Sequence, residues 1–116
     1  MKQEIKIRME NGKDRIIKGN KRTITFLSGE TINVITDKRA DKMWYVTHCA
    51  SGLNIVPPRY YVYPRIVFFG DCDLDPTTEK NAIEIVRFTF DGYYKLYGKR
   101  FCDIWQEREK QLKERQ

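Results

Sequence analysis

Histidine is almost missing from this 116-residue chain. His48 is the only one, which removes every two-histidine chemistry and most zinc sites. Cysteine is scarce and poorly spaced for chemistry: Cys49, Cys72 and Cys102 are odd in number, far apart and without a C-x-x-C pair. Neither a disulfide framework nor a zinc knuckle is suggested, and reduced thiols are the plain reading. Long hydrophobic runs are missing as well, since no segment approaches the roughly 18 apolar residues that span a bilayer. The N-terminal MKQEIKIRMENGK alternates charge with apolar residues where a secretory signal needs an apolar block. A cytoplasmic protein with no membrane partner is the expectation. Glycine-rich phosphate loops are missing too, because Gly12, Gly19 and Gly29 each stand alone at a turn signal.

What remains is a basic chain of 41% hydrophobic content. Residues 1–116 suit one compact domain, which at this length buries roughly two thirds of the surface its unfolded chain exposes. The net charge of +6 is uneven. Residues 1–42 hold eleven Lys and Arg against six Asp and Glu, residues 43–75 hold two against three, and residues 76–116 hold nine against seven. A positive field concentrated in the first third favours a polyanionic partner, although a solvated sheet face explains the same charges.

In that first third apolar residues recur at every second position. Ile5, Ile7 and Met9 alternate with Lys6, Arg8 and Glu10, the period of a half-buried strand. Asn11-Gly12 supplies a turn and residues 15–18 return, predicting a first hairpin. Gly19-Asn20 reads as a second break, followed by strands over 23–26 and 31–34 around Ser28-Gly29-Glu30. A charged, exposed connection over 37–42 precedes Met43–Cys49, which pairs back with residues 53–56 after Ser51-Gly52. Pro57-Pro58 stops regular pairing, RYYVYPR (Arg59 to Arg65) reads as an edge segment because Pro64 has no amide hydrogen, and Ile66–Phe69 reads as buried.

From Asp75 the period changes. Ile83, Val86, Phe90, Tyr93, Tyr94 and Tyr97 are spaced by three or four, which predicts one apolar-aromatic stripe on a helix, with Gly92 as a bend and Gly98 as a stop. A second helix runs from about Lys99 with Phe101, Ile104, Trp105 and Leu112 inward, and its last turns fray. Strands over residues 1–69 and two helices over 75–115 make an α+β domain: a mostly antiparallel sheet of about five to seven short strands covered by the C-terminal helices.

Three candidate sites carry chemistry. GDCDLDPTTEK, Gly70 to Lys80, places Asp71, Asp73 and Asp75 at alternate positions, as a calcium loop or a metal-dependent hydrolase requires. Pro76 stands where the sharp calcium-loop turn needs glycine and Ala82 where it needs a bidentate glutamate. The favoured reading is therefore a helix cap, with Asp75 accepting from first-turn amides, Pro76 at the first helical position, and Thr78-Glu79 as an alternative start. His48-Cys49 resembles a nucleophilic pair, but strand neighbours point to opposite faces.

The third is the Arg/Tyr tract. If extended, Arg59, Tyr61, Tyr63 and Arg65 share one face, a surface for stacking bases and pairing phosphates. The same residue types anchor protein interfaces, and half-buried core tyrosines explain the pattern equally well. Lys2, Lys6, Arg8, Lys13, Arg15, Lys18, Lys21 and Arg22 add a basic patch on the outward faces of the hairpins. The leading expectation is a non-enzymatic protein without a cofactor that contacts nucleic acid or a nucleoprotein complex through these residues. The alternative is a protein-directed inhibitor or adaptor of the compact sort that bacteriophages and mobile elements encode against host machinery. Self-association as a homodimer is open.

Overall fold

The alternating residues do form strands and the three-to-four spaced residues form helices. The computed structural model describes residues 2–8, 14–52, 54–56 and 74–114. In chain order the elements are β1 (Lys2–Arg8), β2 (Asp14–Thr25), β3 (Thr31–Lys38), β4 (Trp44–His48), β5 (Asn54–Val56), α1 (Glu79–Tyr97) and α2 (Phe101–Glu114). Neighbours in sequence are neighbours in space, every pair is antiparallel, and the order is β1-β2-β3-β4-β5. The α+β architecture with two C-terminal helices is thus the one observed. No helix among the described residues is long and apolar enough to cross a membrane.

The break expected at Gly19-Asn20 does not occur. β2 runs straight through it and changes partner: Asp14 to Asn20 pair with β1, and Asn20 to Thr25 pair with β3. Two expected strands are one, so among the described residues the sheet has fewer strands than the turn signals imply. The physical reason lies in close approach rather than in turn geometry. A Cβ on Gly19 would sit 2.2 Å from the Thr36 carbonyl oxygen, so the strand position demands the one residue without a side chain.

Register then sorts the side chains. Ile24 faces Ile32, Arg22 faces Val34, and Asn20 faces Thr36, all on the side that meets the helices. Val34 lies opposite His48, and Thr36 opposite Val46, on the same side. This face and α1 bury Ile24, Val34, Val46, Ile55, Val56, Ala82, Val86 and Phe90 almost completely. Phe26, Phe90, Phe101 and Trp105 interlock above it, with Phe26 stacked on Phe101 at 5.4 Å and Phe101 on Trp105 at 5.2 Å between ring centroids. On the opposite face Ile17 and Ile35 form a second, smaller cluster with Cys49.

The packed stripe of α1 differs from the aromatic one read from spacing. Ala82, Ile85, Val86, Thr89 and Phe90 are buried, Ile83 and Tyr93 are partly so, and Tyr94 and Tyr97 face solvent. Small Ala82 and Thr89 let the helix sit close on the sheet, which an aromatic count overlooks. α1 continues unbroken through Gly92 and ends where Gly98 adopts left-handed φ 65, its amide bonded to the Tyr94 carbonyl.

Its beginning is corrected as well. Thr78, in extended conformation, is the cap: its hydroxyl accepts from the Asn81 amide at 3.0 Å. Asp75 contributes its carbonyl to the Asn81 side chain at 3.3 Å instead of its carboxylate to the first turn. Arg59 to Arg65, Ile66–Phe69, Asp71 and Asp73 lie outside the described residues, as do the Asn11-Gly12 turn and the Leu112 side chain. Thr78→Ala is expected to lower the free energy of unfolding in urea by about 1 kcal/mol, and Asp75→Ala by no more than about 0.5 kcal/mol. The reverse ranking would return the cap to Asp75.

Candidate functional site

Glu79, the first residue of α1, reaches down onto the sheet. Strand residues two apart share a face, so Asn20 and Arg22 of β2 and Thr36 of β3 converge beneath it. Arg22 Nη2 donates to Glu79 Oε1 at 3.1 Å and its Nε to Oε2 at 3.3 Å, a two-pronged pair. Asn20 Nδ2 donates to Oε2 at 3.1 Å, and the buried Thr36 hydroxyl donates to the same oxygen. Burial by itself pushes the Glu79 carboxyl up, yet the donors from Thr36, Arg22 and Asn20 together outweigh it and hold the group below its ordinary value.

A second glutamate does the same for α2. Glu30, at the end of the β2–β3 turn, accepts the amides of Phe101 at 2.7 Å and Cys102 at 3.1 Å, so it caps a helix 71 residues away. The Ser28 hydroxyl donates to it at 2.9 Å and the Arg100 Nε lies 3.9 Å away. Burial pushes this carboxyl up as well, and the hydrogen bonds from Cys102, Ser28 and Phe101 bring it below the ordinary value. The Leu27 amide, in the same turn, donates to Asp91 of α1 at 2.8 Å. One turn therefore grips both helices.

The predicted basic residues are divided by this arrangement. Arg22 is committed to Glu79, so its charge is matched inside the fold. Lys6, opposite Ile16, and Lys18, opposite Glu4, lie exposed on the helix side of the β1–β2 ribbon, whereas Lys21 is exposed on the other face. Lys18 Nζ is 3.9 Å from Glu4, an exposed pair that contributes little. Beyond the helix layer that side of the ribbon is open: Ile16 is 63% exposed, in contrast to the fully buried Ile24 eight residues on. The side chains of Arg8 and Arg15 are outside the described residues, as are Arg59, Tyr61, Tyr63 and Arg65.

His48 and Cys49 part company. His48 packs edge-on against Phe101 and Trp105, with Nδ1 2.9 Å from the Ser51 hydroxyl, which also accepts the Trp105 indole N–H at 3.2 Å. Cys49 lies against Ile17 and Ile35, where burial pushes its thiol up, away from the reactive thiolate. Among the described residues no group of three His, Cys, Asp or Glu is arranged to hold a metal.

Two features escaped sequence reasoning. The first is in the 37–42 connection, which is mostly exposed as expected but holds Asp37 and Arg39 half-buried. Asp37 and Tyr45 are cross-strand partners, Arg39 donates to Asp37 at 2.9 Å while its guanidinium lies 3.7 Å over the Tyr45 ring, and the Tyr45 hydroxyl donates to Asp41 at 2.6 Å. That bond to Asp41 is the main reason the Tyr45 hydroxyl is pushed up. The second is the outward face of α1, where Phe88 and Leu96 are exposed on either side of Gly92, rimmed by Glu84, Arg87, Asp91 and Lys95. Phe88 and Leu96 are themselves four residues from Gly92, a spacing that could have been read as an outward stripe had the inward one been placed correctly.

Comparison of the chain with protein-family models, with curated proteins and with solved structures finds no match.

The two glutamates set a pH dependence. Both carboxyls are held below the ordinary value of 4.5 in the folded state. Their contribution to stability is thus complete above that value and is lost as pH falls through the folded values. Glu79→Gln and Glu30→Gln are each expected to cost about 1–3 kcal/mol at neutral pH and to flatten the fall in stability on acidification below about pH 4.5. Urea unfolding from about pH 7 down to about pH 3, which carries the samples from above the ordinary carboxylate range into it, reads both; variants whose curves run parallel to wild type would remove the glutamates as the cause.

Proposed function

We propose that this protein is a non-enzymatic nucleic-acid-binding domain that uses the β1–β2 ribbon as its contact arm. One observation carries the reading. β1 pairs with only the first half of β2, so the two strands extend as a ribbon whose helix side is open, and residues 2–8 and 14–20 hold five Lys and Arg against two Asp and Glu. A two-stranded ribbon is one of the two shapes that fit the major groove, about 12 Å wide. Lysines on its open side suit phosphate contacts, which supply affinity and register without reading sequence.

In this reading Lys6 and Lys18 meet the backbone, Lys21 sits at the root of the ribbon on the other face, and Arg22 is a structural residue. Arg8 and Arg15 add charge to the same two strands. Arg59, Tyr61, Tyr63 and Arg65 supply stacking planes and guanidiniums for unpaired bases or for a protein in a nucleoprotein complex. A protein-directed inhibitor or adaptor is the second reading, favoured by the exposed Phe88, Tyr94, Leu96 and Tyr97 of α1.

Fluorescence anisotropy with labelled duplex and single-stranded DNA and RNA separates the two. Binding is expected to weaken with salt, and the Lys6→Ala/Lys18→Ala double variant is expected to reduce the slope of log K against log salt by about 2, while Lys80→Ala, on the first turn of α1, changes little. No binding at low salt, or binding indifferent to the ribbon lysines, would move the function to a protein partner.

A further inference from the structure

The outward face of α1 poses a problem that the single chain leaves unsolved. Gly92 stands in the interior of a 19-residue helix, where glycine weakens the helix relative to alanine. Among the described residues nothing compensates, since a Cβ added there would meet no atom within 4 Å beyond the helix's own backbone, and the helix needs no left-handed residue at that point. Around it two large apolar side chains stand in solvent between charged ones. Phe88 is 54% exposed and Leu96 74%, and Leu27, tied to Asp91 through its amide, is exposed beside them.

We propose that this face binds a second copy of the chain, α1 against α1 in antiparallel sense, about a two-fold axis through Gly92. Three observations select that occupant. The first is spacing: Phe88 and Leu96 lie four residues to either side of Gly92, so a two-fold there seats each Phe88 on the Leu96 of the other copy, the self-complementary pairing a symmetric dimer requires. The second is the glycine itself, which lets the helix backbones approach closely at the crossing point of i, i+4 ridges.

The third is charge. Along the flank Glu84, Arg87, Asp91 and Lys95 sum to zero, and Arg87 is already paired with Glu84 at 2.6 Å. That leaves Asp91 and Lys95 to be matched across the axis. Antiparallel pairing brings each Asp91 within about two residues' rise, roughly 3 Å along the axis, of the Lys95 of the other copy. The two Asp91 side chains near the axis are then each flanked by a lysine of the opposite chain.

Sedimentation equilibrium of the full chain over a wide concentration range tests the proposal, with three variants at exposed positions. Leu96→Asp is expected to weaken self-association by about tenfold or more. Gly92→Ala is expected to raise the thermal midpoint, as a better helix former, while weakening self-association; those opposite signs mark a contact role for the glycine. Ile16→Asp, an exposed apolar position on the ribbon, is expected to leave self-association unchanged. A wild-type chain that stays monomeric throughout, or a dimer that survives Leu96→Asp and Gly92→Ala or is dissociated by Ile16→Asp, would overturn it and return the α1 face to a heterologous partner.

Discussion

The ion pair between Glu79 and Arg22 fixes where the first helix lies, and most of the molecule's outer surface follows from that. A carboxylate at the first residue of α1 takes donors from two strands at once, Asn20 and Arg22 of β2 and Thr36 of β3. Part-buried polar groups that satisfy one another in this way are costly to break singly, because the surviving partners lose a bond that solvent only partly replaces. Apolar packing of Ile85, Val86 and Phe90 presses the helix on the sheet. The directional bonds at Glu79, with Asp91 at the Leu27 amide twelve residues later, tie it to the sheet at two points.

With α1 so placed, two surfaces are left over. The sheet extends past the helix layer as the β1–β2 ribbon, and the helix presents Phe88, Gly92 and Leu96 outward. Arg22 is paired with Glu79 at the foot of α1, while Lys6, Lys18 and Lys21 are exposed side chains of the two strands. The β2–β3 turn locks the other end of the structure, since Glu30 caps α2 and holds Phe101 and Trp105 over Phe26. The shape thus separates a charged arm from the exposed Phe88 and Leu96 of α1.

Periodicity carried the coarse fold because burial on one face of a strand or helix leaves a trace in every second or every third-to-fourth residue. The hairpin of β4 and β5 and the inward Phe101, Ile104 and Trp105 of α2 were legible for that reason. Gly19 misled because a glycine required by the Thr36 carbonyl reads like a turn glycine. Asp75 misled because Asp-Pro is a cap signal and Thr-Glu three residues on is an equally good one; Glu79's attachment to the sheet favours the later start. Glu30 as a cap for α2 could not be read at all, since a helix signal 71 residues distant has no local pattern. The basic patch was legible as charge but not as separate faces, because parity along β2 is set by a register that only the paired strands reveal.

The most direct test of the Glu79 anchor is a carboxyl NMR titration of Glu79 with the Arg22 Nε–H followed in the same samples. The account predicts that Glu79 titrates below the ordinary glutamate value of 4.5 and that the Arg22 Nε–H signal stays sharp and protected from exchange until it does. A Glu79 that titrates at the ordinary value, with an Arg22 signal that exchanges freely at neutral pH, would contradict it and leave α1 held by apolar packing and the Leu27–Asp91 bond.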